Sequence, residues 1–287
     1  MEGIYKRIAL GLAFSPRVEA LVAECARLRQ DWDAELVLIH VGEHTTQEDE
    51  KLEELLSKVN LTRKDIKMFW ETGKPSLRIL DICKKEKVDL LVVGALKKEN
   101  LVQAYLGSIA RKILRKSKCS VLMLVDPSAR PRSLKNIVVN AEDSPYVKEA
   151  LSVGCELAMQ DPSSWLHVTR ELKMYGLAMS TADQYSEEEY ENLRQKLVHD
   201  EIEKVNQMLD EIPHQGVKVN VKLLSGKSGF ELAKFALRKN ADLLIVGAPP
   251  RRFSFFDRIF THDLEYIFAD LPCNLLLVNQ RKENKHG

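Results

Sequence analysis

The sequence predicts an α/β fold written twice: two doubly wound, mostly parallel five-stranded sheets with helices on both faces. Three observations carry that prediction. The phrase Val88-Asp-Leu-Leu-Val-Val-Gly-Ala95 returns as Ala241-Asp-Leu-Leu-Ile-Val-Gly-Ala248, each copy an apolar run of strand length opened by aspartate and closed by glycine. The two aspartates stand about 150 residues apart, the size of a small α/β domain. Around each phrase, strand-like and helix-like segments alternate, which implies parallel strands joined by right-handed crossovers.

The elements follow in matched order. Each copy opens with a strand, at 7–13 and 136–141. Ser15-Pro16 and Ser144-Pro145 come next, with serine expected to cap and proline to start a helix. Apolar residues at helical spacing then predict helices over 18–28 and 147–159. A second strand ends at Val41 in one copy and Val168 in the other. Copy 1 continues into a helix over 48–59. Copy 2 inserts an irregular stretch, 169–185, before a longer helix opened by a Ser186–Glu189 capping box. Its apolar stripe runs from Leu193 to Leu209. The copies rejoin at strands 66–70 and 217–224, at Gly73-Lys74 and Gly226-Lys227, and at another helix. The shared phrase reads as a central strand covered on both faces. A last helix and the strands 120–125 and 274–278 close each copy. The expected organisation is a first domain over 1–127, a linker over 128–134 and a second domain over 135–281, with its insertion at about 169–186, then a polar tail over 282–287.

Bulk properties narrow the function. With 287 residues and 45% apolar content, the chain can bury two ordinary cores. A formal net charge of +1 gives no electrostatic case for nucleic acid or a membrane surface. No apolar run reaches the roughly 20 residues that span a bilayer, and the N-terminus lacks a signal-peptide pattern. Of the five cysteines, Cys25 matches Cys155 and Cys119 matches Cys273 between the copies. They read as buried apolar side chains in a reducing compartment, with no metal-ligand spacing, so a cytoplasmic location is expected.

Ligands of open parallel sheets bind beyond the carboxyl ends of the strands, so chemistry should follow the shared phrase. Copy 1 reads Gly94-Ala-Leu-Lys97, nine residues, then Gly107-Ser108. A glycine there lets backbone approach a ligand, and a Gly-Ser helix start offers free N–H groups and a hydroxyl to phosphate oxygens. The pattern resembles the nucleotide-binding motif of the universal stress protein family: glycine, two residues, glycine, nine residues, glycine, then serine or threonine. Together with the element order of both copies, the chain resembles a tandem universal stress protein of the adenine nucleotide alpha hydrolase-like fold.

That resemblance implies ATP or AMP held by Gly94, Lys97, Gly107 and Ser108, with Val41 against the adenine. Two departures stand out. Lys97 replaces the second glycine, where it adds a phosphate contact, fills the phosphate space or is simply solvated. Ala13 replaces the acidic residue that holds the ribose in the family. Copy 2 departs the other way: Glu142 keeps the acidic position and Gly247 the first glycine, but Pro249 and Pro250 remove donors. Phe260 replaces the glycine before Thr261, while Arg251, Arg252 and Arg258 offer compensating charge.

Other candidates are weaker. Gly226-Lys227-Ser228 lacks the upstream glycine of a Walker A loop, since residue 221 is valine, and so reads as a structural turn. His40 and His167 share one slot and read as packed residues. The basic run Arg111, Lys112, Arg115, Lys116 and Lys118 reads as cations on a wet helix face. Phe253, Phe255, Phe256 and Phe260 serve either core packing or partner contact, and the inserted Met and Leu residues suggest a lid or an interface.

Two functions stand first. One is a non-catalytic cytoplasmic stress-response protein whose first domain binds nucleotide weakly as a regulatory ligand, with at most slow ATPase activity. The other is a purely structural or interaction module with both sites degenerate, acting through dimerisation and an unidentified protein partner. A third reading is a sensor for another small ligand under the insertion. The family resemblance further implies an intrachain pseudo-dimer in which 121–125 pairs with 275–278, alongside a homodimer option.

Overall fold

A computed structural model describes residues 3–97, 104–172, 186–226, 228–249, 260 and 262–279. The first half runs β1 (Arg7–Leu12), α1 (Val18–Trp32), β2 (Glu35–Val41), α2 (Thr46–Lys58), a 3-10 turn (Arg63–Asp65), β3 (Ile66–Glu71), α3 (Pro75–Lys85) and β4 (Leu90–Gly94). A short antiparallel pair, β5 (Leu96–Lys97) and β6 (Ala104–Tyr105), leads to α4 (Ser108–Lys116) and β7 (Ser120–Leu124). The second half runs β8 (Asn136–Asn140), α5 (Val147–Met159), β9 (Trp165–Glu171), α6 (Glu187–Asp210), β10 (Lys218–Leu224), α7 (Ser228–Arg238), β11 (Leu243–Gly247), α8 (His262–Ala269) and β12 (Asn274–Val278).

The two five-stranded sheets join into one sheet of ten strands, in the order β3-β2-β1-β4-β7-β12-β11-β8-β9-β10. Every pairing in it is parallel except the junction, where β7 and β12 run antiparallel with Leu122 opposite Leu276. The intrachain pairing expected of a pseudo-dimer is therefore present. Its two-fold character extends to the side chains: Val125 N–H donates to Asn274 Oδ1 at 2.9 Å, and Asn279 N–H donates to Ser120 Oγ at 3.1 Å. Asn279 also donates through Nδ2 to the Cys119 carbonyl at 2.6 Å, while buried.

The aspartate that opens each repeated phrase has a structural task. Asp89 Oδ2 accepts the Arg7 N–H at 3.0 Å, and Asp242 Oδ2 accepts those of Lys135 and Asn136 at 2.7 and 2.9 Å. Each carboxylate thus satisfies backbone donors where the neighbouring strand begins. Alternation along the strands then sends side chains to two cores, one per face, and each core spans both domains. Ile8, Leu10, Leu122, Leu276 and Ile245 face α1, α2, α5 and α6; Ala9, Val93, Met123, Leu275 and Val246 face α3, α4, α7 and α8. A fully buried leucine or isoleucine contributes about 1.5–3 kcal/mol, so the shared cores hold the two halves together.

Several local expectations change. Ser15-Pro16 and Ser144-Pro145 form turns ahead of the helices rather than their caps. The Val18 N–H reaches the Ser15 carbonyl at 3.0 Å, and the N-cap residues are Arg17 and Tyr146, neither with a side-chain cap bond. Ser186 does cap α6, in a reciprocal box with Glu189. Thr169–Glu171, expected to start the insertion, instead continue β9 against Lys222–Leu224 of β10. Residues 173–185 lie outside the described residues. Within the α6 stripe only Val205 and Leu209 are buried. No described helix is long and apolar enough to cross a membrane.

Candidate functional site

The order β3-β2-β1-β4-β7 puts the topological switch between β1 and β4, and the crevice beyond it is the expected ligand edge. Register brings the predicted residues of the first domain to that edge. Leu12 pairs with His40 and Leu10 with Val92, so Val41 and Gly94 flank the end of β1. Val41 is half-buried against the face carrying α3 and α4. Beyond Gly94, β5 and β6 pair Lys97 with Ala104 and Leu96 with Tyr105, which brings the chain on either side of the spacer together. Gly107 therefore arrives beside Leu96, where it N-caps α4 with φ −68° and ψ 169°. That is extended backbone, so the glycine matters for clearance: a Cβ there would stand 2.7 Å from Leu96 Cδ1.

Ser108 is exposed at the first turn of α4, which carries no acidic side chain. The N–H groups of that first turn have no partners within the helix and suit an anion. Ala13, at the end of β1, is exposed and offers no carboxylate. One residue escaped the sequence reading. Arg17 donates to the Val125 carbonyl at 2.9 Å and to the Ala95 carbonyl, joining the loop after Gly94 to the end of β7. Its signal was available as the difference between Ser-Pro-Arg17 and Ser-Pro-Tyr146.

The second domain's edge is filled differently. Glu142 Oε1, at the acidic position, accepts the Glu171 N–H at 2.8 Å. Beside it, Arg170 is only 8% exposed and donates to the Ala141 carbonyl at 2.7 Å, to Asp143 Oδ1 at 3.0 Å and to Glu201 of α6. Burial pushes the Glu201 carboxyl up, but the bonds from Arg170 and Lys204 outweigh it and hold the group below its ordinary range. This cluster also escaped sequence reading, because its members lie on three separate segments. At Gly247 an added Cβ would meet Ser144 Oγ at 2.3 Å and Tyr146 backbone at 3.2 Å, so the turn after β8 is closed onto the glycine. The matching position in the first domain, Gly94, faces only the Leu21 methyls, at 3.2 and 3.5 Å. Phe260 is buried edge-on to Phe268 at 4.8 Å and belongs to the core. Thr261, Pro250, the three loop arginines and Phe253, Phe255 and Phe256 lie outside the described residues.

The remaining candidates resolve into structure. Gly73 and Gly226 hold φ of +113° and +128°, so the Gly-Lys turns need glycine for backbone reasons. His40 is packed between Phe14 and Trp70, with Nδ1 3.3 Å from the Leu12 carbonyl. His167 meets Asn220 at 3.1 Å, and burial, helped by Lys239, lowers its pKa. The basic helix α4 is not simply wet: Arg111 and Arg115 reach across the junction to Glu265 of α8 at 2.5 and 2.9 Å. All five cysteines are buried and free, and burial pushes the Cys155 and Cys273 thiols up to about 11 and about 12. Among the described residues, no group of three or more His, Cys, Asp or Glu is placed to hold a metal ion.

The comparisons with known proteins agree with this architecture. The model of the universal stress protein family matches twice, over residues 4–124 and 133–279. A universal stress protein of Methanocaldococcus jannaschii is 34% identical over 55 residues, 19% of this chain and 32% of that protein, so the match spans about a third of the relative's length. A universal stress protein structure from Archaeoglobus fulgidus superposes with a TM-score of 0.62 at 15% identity, covering 96% of this chain and 98% of that one. A functionally unknown protein from Pseudomonas aeruginosa gives 0.67 at 14% identity, covering 96% and 92%. The chain therefore belongs to the universal stress protein family, with the family's domain present twice.

Proposed function

We propose that the protein is a non-catalytic, cytoplasmic stress-response protein whose first domain binds ATP or AMP weakly as a regulatory ligand. The observation that carries the reading is the pairing of β5 with β6 that brings Gly94–Lys97 to Gly107-Ser108, at a helix N-terminus with no acidic side chain in its first turn. Gly94, Lys97, Gly107 and Ser108 would hold the phosphates, and Val41 would line the base. The missing carboxylate at Ala13 leaves the ribose hydroxyls without their charged acceptor. A lost hydrogen bond to a charged group costs about 1.5–3 kcal/mol, or roughly one to two orders of magnitude in affinity.

The test is a calorimetric titration of ATP and AMP into the full chain and into Gly107→Trp. Saturable binding that the substitution removes supports the reading; no heat at millimolar nucleotide, with the fold intact, overturns it. The second domain favours the alternative of a structural and interaction module, because Glu142 and Arg170 are already engaged with the protein itself. In that case a homodimer or a protein partner carries the function.

A further inference from the structure

The topology leaves one stretch of sheet without helices of its own. In each domain the helices after β1 and β2, or after β8 and β9, lie on one face, and the remaining helices lie on the other. On the first face α1 packs on β4 and α5 on β11, so the junction strands β7 and β12, with the starts of β4 and β11, form a trough between the two helices. Its floor is leucine: Leu90, Leu122, Leu124, Leu243 and Leu276. The interdomain linker contributes Ser128, Arg132, Ser133 and Leu134 to its lining. The resulting cavity has a volume of about 930 Å³, within the range of small-molecule sites and at a domain boundary, where such sites concentrate.

The walls carry a charge imbalance, five carboxylates against two guanidinium groups. Four of the carboxylates have local partners, Asp126 among them. Asp31 takes Arg27 at 2.9 Å, Asp161 takes Lys135 at 2.5 Å, and Asp242 takes two backbone N–H groups. Glu24 is less well served. Its side chain is 14% exposed, Arg27 Nε lies 3.6 Å away, and the Ser128 N–H reaches it at 3.3 Å. Burial is the largest influence on this carboxyl and raises its pKa, so the ionised form lacks full compensation. Counting from the helix starts Val18 and Val147, the equivalent position on α5 is Val153, so this charge stands on one wall only.

We propose that the interdomain cavity binds a small amphipathic cation, an alkyl- or arylammonium compound whose apolar body lies on the leucine floor and whose ammonium group faces Glu24. The site is separate from the nucleotide edge, and the proposal stands whether or not nucleotide binds there. The experiment titrates the full chain with 4-phenylbutylamine, 4-phenylbutanol and 4-phenylbutyrate, which share one body and differ in charge.

The amine should bind saturably, the alcohol at least about tenfold more weakly, and the carboxylate least. Glu24→Gln should weaken the amine by about tenfold and leave the alcohol unchanged. Leu28→Phe, which enlarges a residue lining the cavity, should weaken amine and alcohol together. Thermal melts confirm that each variant is folded. Equal binding of amine and alcohol, no amine binding up to about 10 mM, or an unaltered amine affinity in Glu24→Gln would overturn the proposal.

Discussion

The two carboxyl edges are built on one backbone plan and are used in opposite ways. In the first domain the strand ends are lightly furnished: Ala13 is exposed, Gly94 meets only leucine methyls, and Arg17 bonds to carbonyls. In the second, Glu142, Asp143, Arg170 and Glu201 knit β8, β9 and α6 together. The turn at Ser144 closes on Gly247. The difference teaches that the same place at the strand ends can be left open in one copy and committed to the fold in the other. A carboxylate already accepting a backbone N–H, beside a buried guanidinium, serves the fold first.

The largest expected effect tests that contrast directly. Arg170→Met should destabilise the protein by about 3 kcal/mol, because it removes a buried guanidinium that bonds Ala141, Asp143 and Glu201 at once and leaves Glu201 with Lys204 alone. Arg17→Met, which removes bonds to two carbonyls at a half-buried position, should cost about 1 kcal/mol. Urea unfolding of both variants gives the comparison, and equal losses would mean the two edges do not differ in this way. The sign with pH follows from Glu201. Its pKa is lowered in the folded protein, so its stabilisation is present above the ordinary carboxylate range and disappears as pH falls through the folded value. Arg170→Met should flatten the acid limb of the stability curve.

An intermediate effect probes what the edges share. Gly73→Ala and Gly226→Ala each force a side chain into positive φ and should each cost about 1–2 kcal/mol. Matched losses of melting temperature would support a backbone role for both Gly-Lys turns, whereas a nucleotide-dependent loss in one alone would assign that turn to a ligand. The smallest effect concerns a slot where the halves differ by one residue. Lys87 and Asn240 both follow a helix with φ near +50°, at 54° and 48°. Asparagine tolerates that conformation better, so Lys87→Asn should stabilise the first half by about 0.5 kcal/mol. A loss of stability would show that the lysine stem makes contacts worth more than the strain.

Much of the frame was legible in the residues. The doubled Asp-strand-Gly phrase located β4 and β11, helical spacing located α1 and α5, and the Ser186–Glu189 box located the start of α6. These signals are local, so one window of sequence contains both partners. The Ser-Pro pairs misled because a turn and a helix cap use the same residues, and only the hydrogen bond from Val18 to Ser15 separates them. The pairing of β5 with β6 was hidden because each strand is two residues long, too short to show an alternating pattern. Of the candidate site, glycine positions could be read, but the state of Glu142 could not.

By itself, then, the sequence determined a repeated α/β unit, its central strands and the glycine-marked loops beyond them. Periodicity and turn chemistry act over a few residues, and every element carries them along its own length. The tertiary structure decided that the two sheets become one, that Arg170 ties β9 to the turn after β8 and to α6, and that a cavity opens between the domains beside the linker. Each of these depends on partners far apart in the chain, such as Asn279 with Cys119 or Arg111 with Glu265. Their meeting follows from packing two domains across an antiparallel strand pair, a geometry that no single window of sequence contains.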